Sequence, residues 1–255
     1  MKLTQRSKRW LRRVLSSGKR RPTSRRNGFV RSLQVEGLEG RALLAAVSWI
    51  AVGDGNWNTA ANWSPPGVPG ASDDVTISPA AAVTVTIPSG YNAAVKSLTT
   101  DGNDTLLIAG GSLTVTANSS LAGPLSMTGG SLTASGAGVT LQANGTTGVT
   151  GASLYAKAGA TLSLPNLTSY TKSNDTTFQA TGTSSTLNLP ALATLGNMSG
   201  RWTVQALAGG TLNLSSLAVI NQPNAPLTFQ ADGVGSQLDL SSLTSFTCQD
   251  YFASF

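Results

Sequence analysis

The chain has 255 residues, of which 11% are charged, with no histidine, a single cysteine and a formal net charge of +6. Without histidine it has no Ser-His-Asp or Cys-His nucleophile and no histidine-bound metal, and Cys248 alone makes no internal disulfide. Gly, Ser, Thr, Ala, Asn and Leu dominate, as suits extracellular β-structure, and no uncharged apolar run reaches the roughly 18 residues that a transmembrane helix requires.

Charge is divided sharply along the chain. Residues 1–45 carry 13 Lys or Arg against Glu36 and Glu39, a net +11, whereas 46–255 carry four basic residues against nine acidic ones, a net −5. A basic arm of this kind is suited to nucleic acid or an anionic membrane surface. Export is the better reading, because the basic tract is followed by an uncharged run, Ala42–Val52, with small residues Ala45 and Ala46 where a signal peptide is cleaved. Within it, VEGLEGRALLA at Val35–Ala45 resembles the LEPR-XLL segment near the N-terminus of many exported bacterial surface proteins; Leu38, Glu39, Arg41, Leu43 and Leu44 match, and Gly40 stands where that segment has Pro. Residues 1–46 are therefore expected to be a disordered basic export segment that engages the export machinery, with a mature chain beginning near Val47 and no nucleic-acid partner.

The next stretch, Val47–Ile77, resembles the W-x-GNW-x-NW-x-P-x-DD-V-I segment that precedes β-helical arrays in secreted bacterial proteins. Trp49, Trp57 and Trp63 are large apolar plates close together, and their simplest use is to cover the first turn of a solenoid whose end would otherwise bare its core. A sugar-stacking aromatic cluster is the functional alternative. Asp73 and Asp74, with Asp54 nearby, admit a calcium site, since hard cations take several oxygens. Their spacing lacks the dense acidic pattern of such a site, and an Asp ahead of a strand commonly accepts backbone N–H groups in a turn. The expectation is therefore no cofactor, with calcium at Asp73 and Asp74 as the exception to test.

From Val75 onward come short alternating strands, VTISP, VTVTIP, TLLIAGGSLTV and LSMTGGSLTA, with GGSLT at Gly110 and again at Gly129. Then one seven-residue phrase is written four times: TLSLPNL at Thr161, TLNLPAL at Thr186, TLNLSSL at Thr211 and QLDLSSL at Gln237. Its first leucines, Leu162, Leu187, Leu212 and Leu238, are 25, 25 and 26 residues apart, the mark of a stacked repeat. Period-two alternation puts these leucines, with Leu164, Leu189, Leu214 and Leu240, on one face, and Ser163, Asn188, Asn213 and Asp239 on the other. Upstream of each phrase runs an apolar-x-Ala step (Leu154, Phe178, Val204, Phe229) and then a glycine, Gly159, Gly182, Gly209 or Gly233. Three positions after each phrase stands Tyr170, Leu195, Ile220 or Phe246. Each period reads strand, Gly turn, strand, corner, strand.

These repeats resemble the right-handed parallel β-helix of large bacterial surface proteins and autotransporter-like passengers. A leucine-rich repeat competes, because L-x-L-x-x-L with this period also fits it. Against that stand return segments such as TSYTKSNDTTFQATGTS, rich in Thr, Ser and Gly and without helical periodicity. The expected fold is all-β, a parallel β-helix of about eight turns over 78–255, capped by 47–77. On this facing Asn213→Ala is a surface change within roughly 0.5 kcal/mol.

Catalytic signals are sparse. The β-helix resemblance brings with it polysaccharide lyases and pectin-type hydrolases, which carry a carboxylate cluster on one outer face. Here Asp175 and Arg201 lie about one period apart, as a surface ion pair would, and the column Ser163, Asn188, Asn213, Asp239 has one carboxylate, too few for paired acid and base work. The reading is a non-catalytic, exported, adhesin-like structural protein with surface polysaccharide or other surface proteins as partners. A carbohydrate-active β-helix enzyme fragment and a basic-tailed nucleic-acid binder are the rivals. The fourth repeat runs into TCQDYFASF without a polar capping turn, so the natural product is expected to continue, or Tyr251, Phe252 and Phe255 to fold back as a lid; end-to-end self-association follows from the first case.

Overall fold

A computed structural model describes residues 46–222 and 226–248. The basic tract, the LEPR-XLL-like segment and the aromatic tail Tyr251, Phe252 and Phe255 lie outside the described residues. Among the described residues there are 26 strands and one short 3-10 turn, Ala60–Asn62.

The strands stack into a parallel β-solenoid. Its first sheet has ten strands, running from Trp63–Ser64 and Ala46–Trp49 to Gln237–Asp239, and two further sheets have seven strands each. Pairing is parallel throughout except where Ala46–Trp49 meets Trp63–Ser64. One coil takes one strand from each side. Ser153–Lys157, Thr161–Ser163 and Ser169–Lys172, for example, lie in the third, first and second sheets in turn. From Thr84–Ile87 onward there are seven complete coils, and Ser245–Cys248 opens another, pairing in parallel with Val219–Gln222. The expected eight turns are thus seven and a beginning.

The repeated phrase sets the register. Thr161, Thr186, Thr211 and Gln237 stand in one row of the first sheet, and Leu162, Leu187, Leu212 and Leu238 in the next. The return segments are six-residue strands, Thr176–Thr181, Trp202–Leu207 and Leu227–Asp232, where a leucine-rich repeat would turn through a convex segment. Coil length falls from the 23 residues that separate Val75 from its partner Leu98 to the 19 between Leu113 and Leu132, then grows to the 26 between Leu212 and Leu238. Where the coils are shortest the two GGSLT segments pack backbone to backbone: a Cβ on Gly130 would come within 1.7 Å of the Gly111 carbonyl oxygen, so only glycine fits there. At the long end Gly159, Gly182, Gly209 and Gly233 make the same turn once per coil, with φ between 86° and 99°.

Inward side chains form continuous columns whose successive members lie about 4.8 Å apart. Leu162, Leu164, Leu187, Leu189, Leu212 and Leu214 are fully buried, while Leu238 and Leu240 of the last complete coil are half-buried. Each buried leucine contributes roughly 1.5 to 3 kcal/mol, and the neighbouring coil supplies much of that burial. Beside these columns runs an aromatic series that threads the later coils: Tyr170 against Phe178 (4.7 Å between ring centres), Phe178 against Trp202 (5.3 Å), Trp202 against Phe229 (5.8 Å) and Phe229 against Phe246 (6.0 Å).

Candidate functional site

The tryptophans of the N-terminal segment pack as one cluster under the first coil. Trp63 stands edge-on to both Trp49 and Trp57, with ring centres 5.0 and 4.9 Å away, and its indole N–H donates to the Trp57 carbonyl at 2.7 Å. All three are 0 to 3% exposed, so no ring face is presented to a sugar. The backbone ties the cluster into the solenoid: Ala46–Trp49 pairs with Asp74–Ile77, Gly55–Asn56 with Thr84–Ile87, and Trp57 N donates to Thr86 O at 2.8 Å. In geometry this is a cap.

The acidic candidates are each engaged separately. Asp73 Oδ2 accepts from Gly70 N at 2.8 Å in a turn, and Asp54 Oδ1 accepts from Thr84 N at 2.6 Å. Asp74 pairs with Lys96 at 2.8 Å and accepts from the Ser97 hydroxyl; the Lys96 hydrogen bond foremost, then that of Ser97, holds its carboxyl below the ordinary carboxylate value. Among the described residues no group of three or more His, Cys, Asp or Glu side chains is placed to hold a metal. Asp175 and Arg201 are neighbours one coil apart, yet the contact is not the ion pair that the spacing suggests: Asp175 Oδ1 accepts the Arg201 backbone N–H at 2.7 Å. The carboxylate stitches two corners together.

Three features are not legible in the sequence. Lys172 points inward and is 3% exposed, its Nζ donating to the carbonyls of Asn174 (3.0 Å), Ser199 (2.7 Å) and Gly200 (2.6 Å). It thereby joins its own corner to that of the next coil. Burial lowers its pKa and the Asp175 charge opposes that. Lys172→Met keeps the apolar stem and removes all three charge-assisted bonds; unfolding in urea is expected to show a loss of about 2 to 3 kcal/mol, since such bonds are individually strong but the ammonium is partly desolvated. The signal was parity, because Lys172 is two residues past buried Tyr170.

The second feature is a pair of amide ladders on the outer faces. Asn188 Nδ2 donates to Ser163 Oγ at 3.1 Å and Asn213 Nδ2 to Asn188 Oδ1 at 2.8 Å on the first sheet; Gln179 Nε2 donates to Gln205 Oε1 at 2.9 Å and Gln205 Nε2 to Gln230 Oε1 at 2.7 Å on the third. Asn213 is therefore not the bare surface residue that alternation implies, for its Oδ1 also accepts from Ser215 N at 2.9 Å. The third feature is an open groove across successive coils of the first sheet, lined by Thr99, Asn118, Ser119, Ser120, Thr140 and Gln142 without a charged group. No helix among the described residues is long and apolar enough to cross a membrane.

A family model described as a domain of unknown function (DUF8693) matches residues 48–133, which hold the tryptophan cap and the first coils. No curated protein and no solved structure matches the chain.

Proposed function

We propose that this chain is an exported, non-catalytic spacer or adhesin of the cell surface, held outward by its solenoid and making contacts through uncharged polar faces. The observation that carries this reading is the make-up of the outer first sheet. Between Ser97 and Asn213 its outward positions are Ser, Thr, Asn and Gln only, several of them tied to one another by hydrogen bonds, and the groove around Thr140 and Gln142 belongs to this face. Hydroxyls and amides in rows suit a neutral polysaccharide or a second polar protein surface, whereas hydrolysis or elimination would need paired acid and base groups there. The charge discontinuity near residue 45 supports export through residues 1–46, and the resemblance of Val35–Ala45 to LEPR-XLL points the same way.

The test is made on the natural host. Protease added to intact cells should remove the protein, and the mature N-terminus should lie near Val47. Purified full-length protein incubated with neutral and uronic-acid polysaccharides should bind without shortening them, and Gln142→Trp should weaken the binding. Chain cleavage of a polyuronate would establish the carbohydrate-active alternative, and retention of nucleic acid that is lost on removing residues 1–45 would establish the third reading.

A further inference from the structure

Asp104 is a fully buried carboxylate in an otherwise apolar column. It stands immediately before Thr105–Ile108, in step with the inward Leu106 and Ile108, and all three have no exposed surface. Its Oδ1 accepts the Val83 backbone N–H of the preceding coil at 3.0 Å, while Oδ2 has no hydrogen-bond donor. Asp101, across the same tight turn, is provided for differently: its Oδ1 accepts from Asn103 N at 2.9 Å and Asp104 N at 3.2 Å, and its Oδ2 from the Ser78 hydroxyl at 3.2 Å. One acid of the pair has three donors and the other has one.

The surroundings offer no counter-charge. From the preceding coil come the Ser78 hydroxyl and the Val83 N–H; toward the following coil the carbonyls of Asp101 and Asp104 crowd Gly123, where a Cβ would lie 2.6 and 2.1 Å from their oxygens. Of the basic side chains in the described residues, Lys96 is paired with Asp74, and Lys157, Lys172 and Arg201 belong to later coils. Asp101 is the charged group that acts on Asp104.

We propose that Asp101 and Asp104 form a one-proton carboxyl pair, which fastens the first two coils when Asp104 is protonated and loosens this end of the solenoid when Asp104 ionises. The protonated acid supplies the donor that Oδ2 lacks and aims it at Asp101, which stays ionised. Burial foremost, with the Asp101 charge added and the Val83 N–H opposing, pushes Asp104 up to about 6, while the Asn103 N–H foremost holds Asp101 below the ordinary carboxylate value. The sign follows from proton counting. Above the ordinary value of 3.8 the unfolded chain has lost this proton, and up to about 6 the folded chain retains it. Stability therefore falls as pH rises through that window and is level above it. Depressed carboxylates such as Asp74 act in the opposite sense, and below the window.

The experiment is urea unfolding of the full chain from about pH 4.5 to 7.5, with the Asp104 carboxyl followed by carbon-13 NMR. The unfolding constant should rise on the order of ten- to a hundredfold across the range, and the carboxyl should titrate near 6. Asp104→Asn, whose amide donates to Asp101 at every pH, should flatten the curve and protect the strands of residues 84–121 from hydrogen exchange at neutral pH. A carboxyl midpoint below about 4.5, a pH slope unchanged in Asp104→Asn, or calcium stabilising the wild type at neutral pH but not Asp104→Asn would each overturn the proposal, the last by making the pair a cation site. If the variant does not fold, the carboxyl titration of the wild type decides.

Discussion

Trp63→Ala is expected to cost about 3 to 5 kcal/mol, the range for removing a fully buried large aromatic. Trp63 is the middle member of the cap: both other indoles lean on it edge-on, and its N–H is the donor that the Trp57 carbonyl receives. Alanine leaves a cavity between Trp49 and Trp57 and an unanswered carbonyl inside it. Because each coil of a solenoid contacts only its neighbours, the damage should be local. Hydrogen-exchange mass spectrometry should find protection lost over residues 46–77 and the adjoining coil, with Ser153–Asn213 unchanged. Trp63→Phe retains most of the packing and loses the hydrogen bond, so about 1 to 2 kcal/mol is expected. Uniform loss of protection along the whole chain would show that the cap does not act as a separate end-piece.

A comparable loss is expected in the middle of the array. Leu214 is fully buried in one column between Leu189 of the coil before and Leu240 of the coil after, and Leu214→Ala should cost about 2 to 5 kcal/mol. Its neighbour Asn213 faces outward but holds two hydrogen bonds, one to the coil before and one within its own corner. Asn213→Ala should therefore cost about 1 kcal/mol, more than alternation by itself suggests and less than the leucine. Equal losses from the two substitutions, measured by urea unfolding, would mean that the ladder carries as much of the stacking as the core does.

What could be read from the sequence, and what could not, divides along a physical line. Apolar columns announce themselves, because leucine at Leu162, Leu187, Leu212 and Leu238 has one reason to recur every 25 residues. The glycine after each return strand was equally plain, since a turn with positive φ admits few other residues. Polar residues inside the solenoid were hidden by their chemistry. Lys172 and Asp104 obey the same two-residue alternation as the leucines, and composition argues them outward, yet parity wins because backbone carbonyls receive the Lys172 ammonium and the Val83 backbone N–H meets the Asp104 carboxylate. Trp202 is hidden for another reason: it precedes the apolar-x-Ala step and its register partners are Thr176 and Leu227, so its ring contacts with Phe178 and Phe229 have no periodic sign. The amide ladders require knowing that the spacing between coils brings equivalent side chains within hydrogen-bond reach. A single period does not carry that information.

The constant register of the later coils on the first and third sheets also bears on how such a chain changes length. Thr186, Leu187 and Asn188 lie over Thr211, Leu212 and Asn213 in the same order, and Trp202–Leu207 lies over Leu227–Asp232 residue by residue. Excising or duplicating one full period between these coils joins backbone to backbone at matching places and leaves the columns of these two sheets continuous. A change by any odd number of residues inside a strand turns the leucines beyond it to the water and the amides to the interior. Recombination between the near-identical phrases at Thr186 and Thr211 makes only the harmless kind of step. The rod is thus a ruler that heredity can lengthen or shorten by whole graduations, while its cross-section and its cap stay as they are.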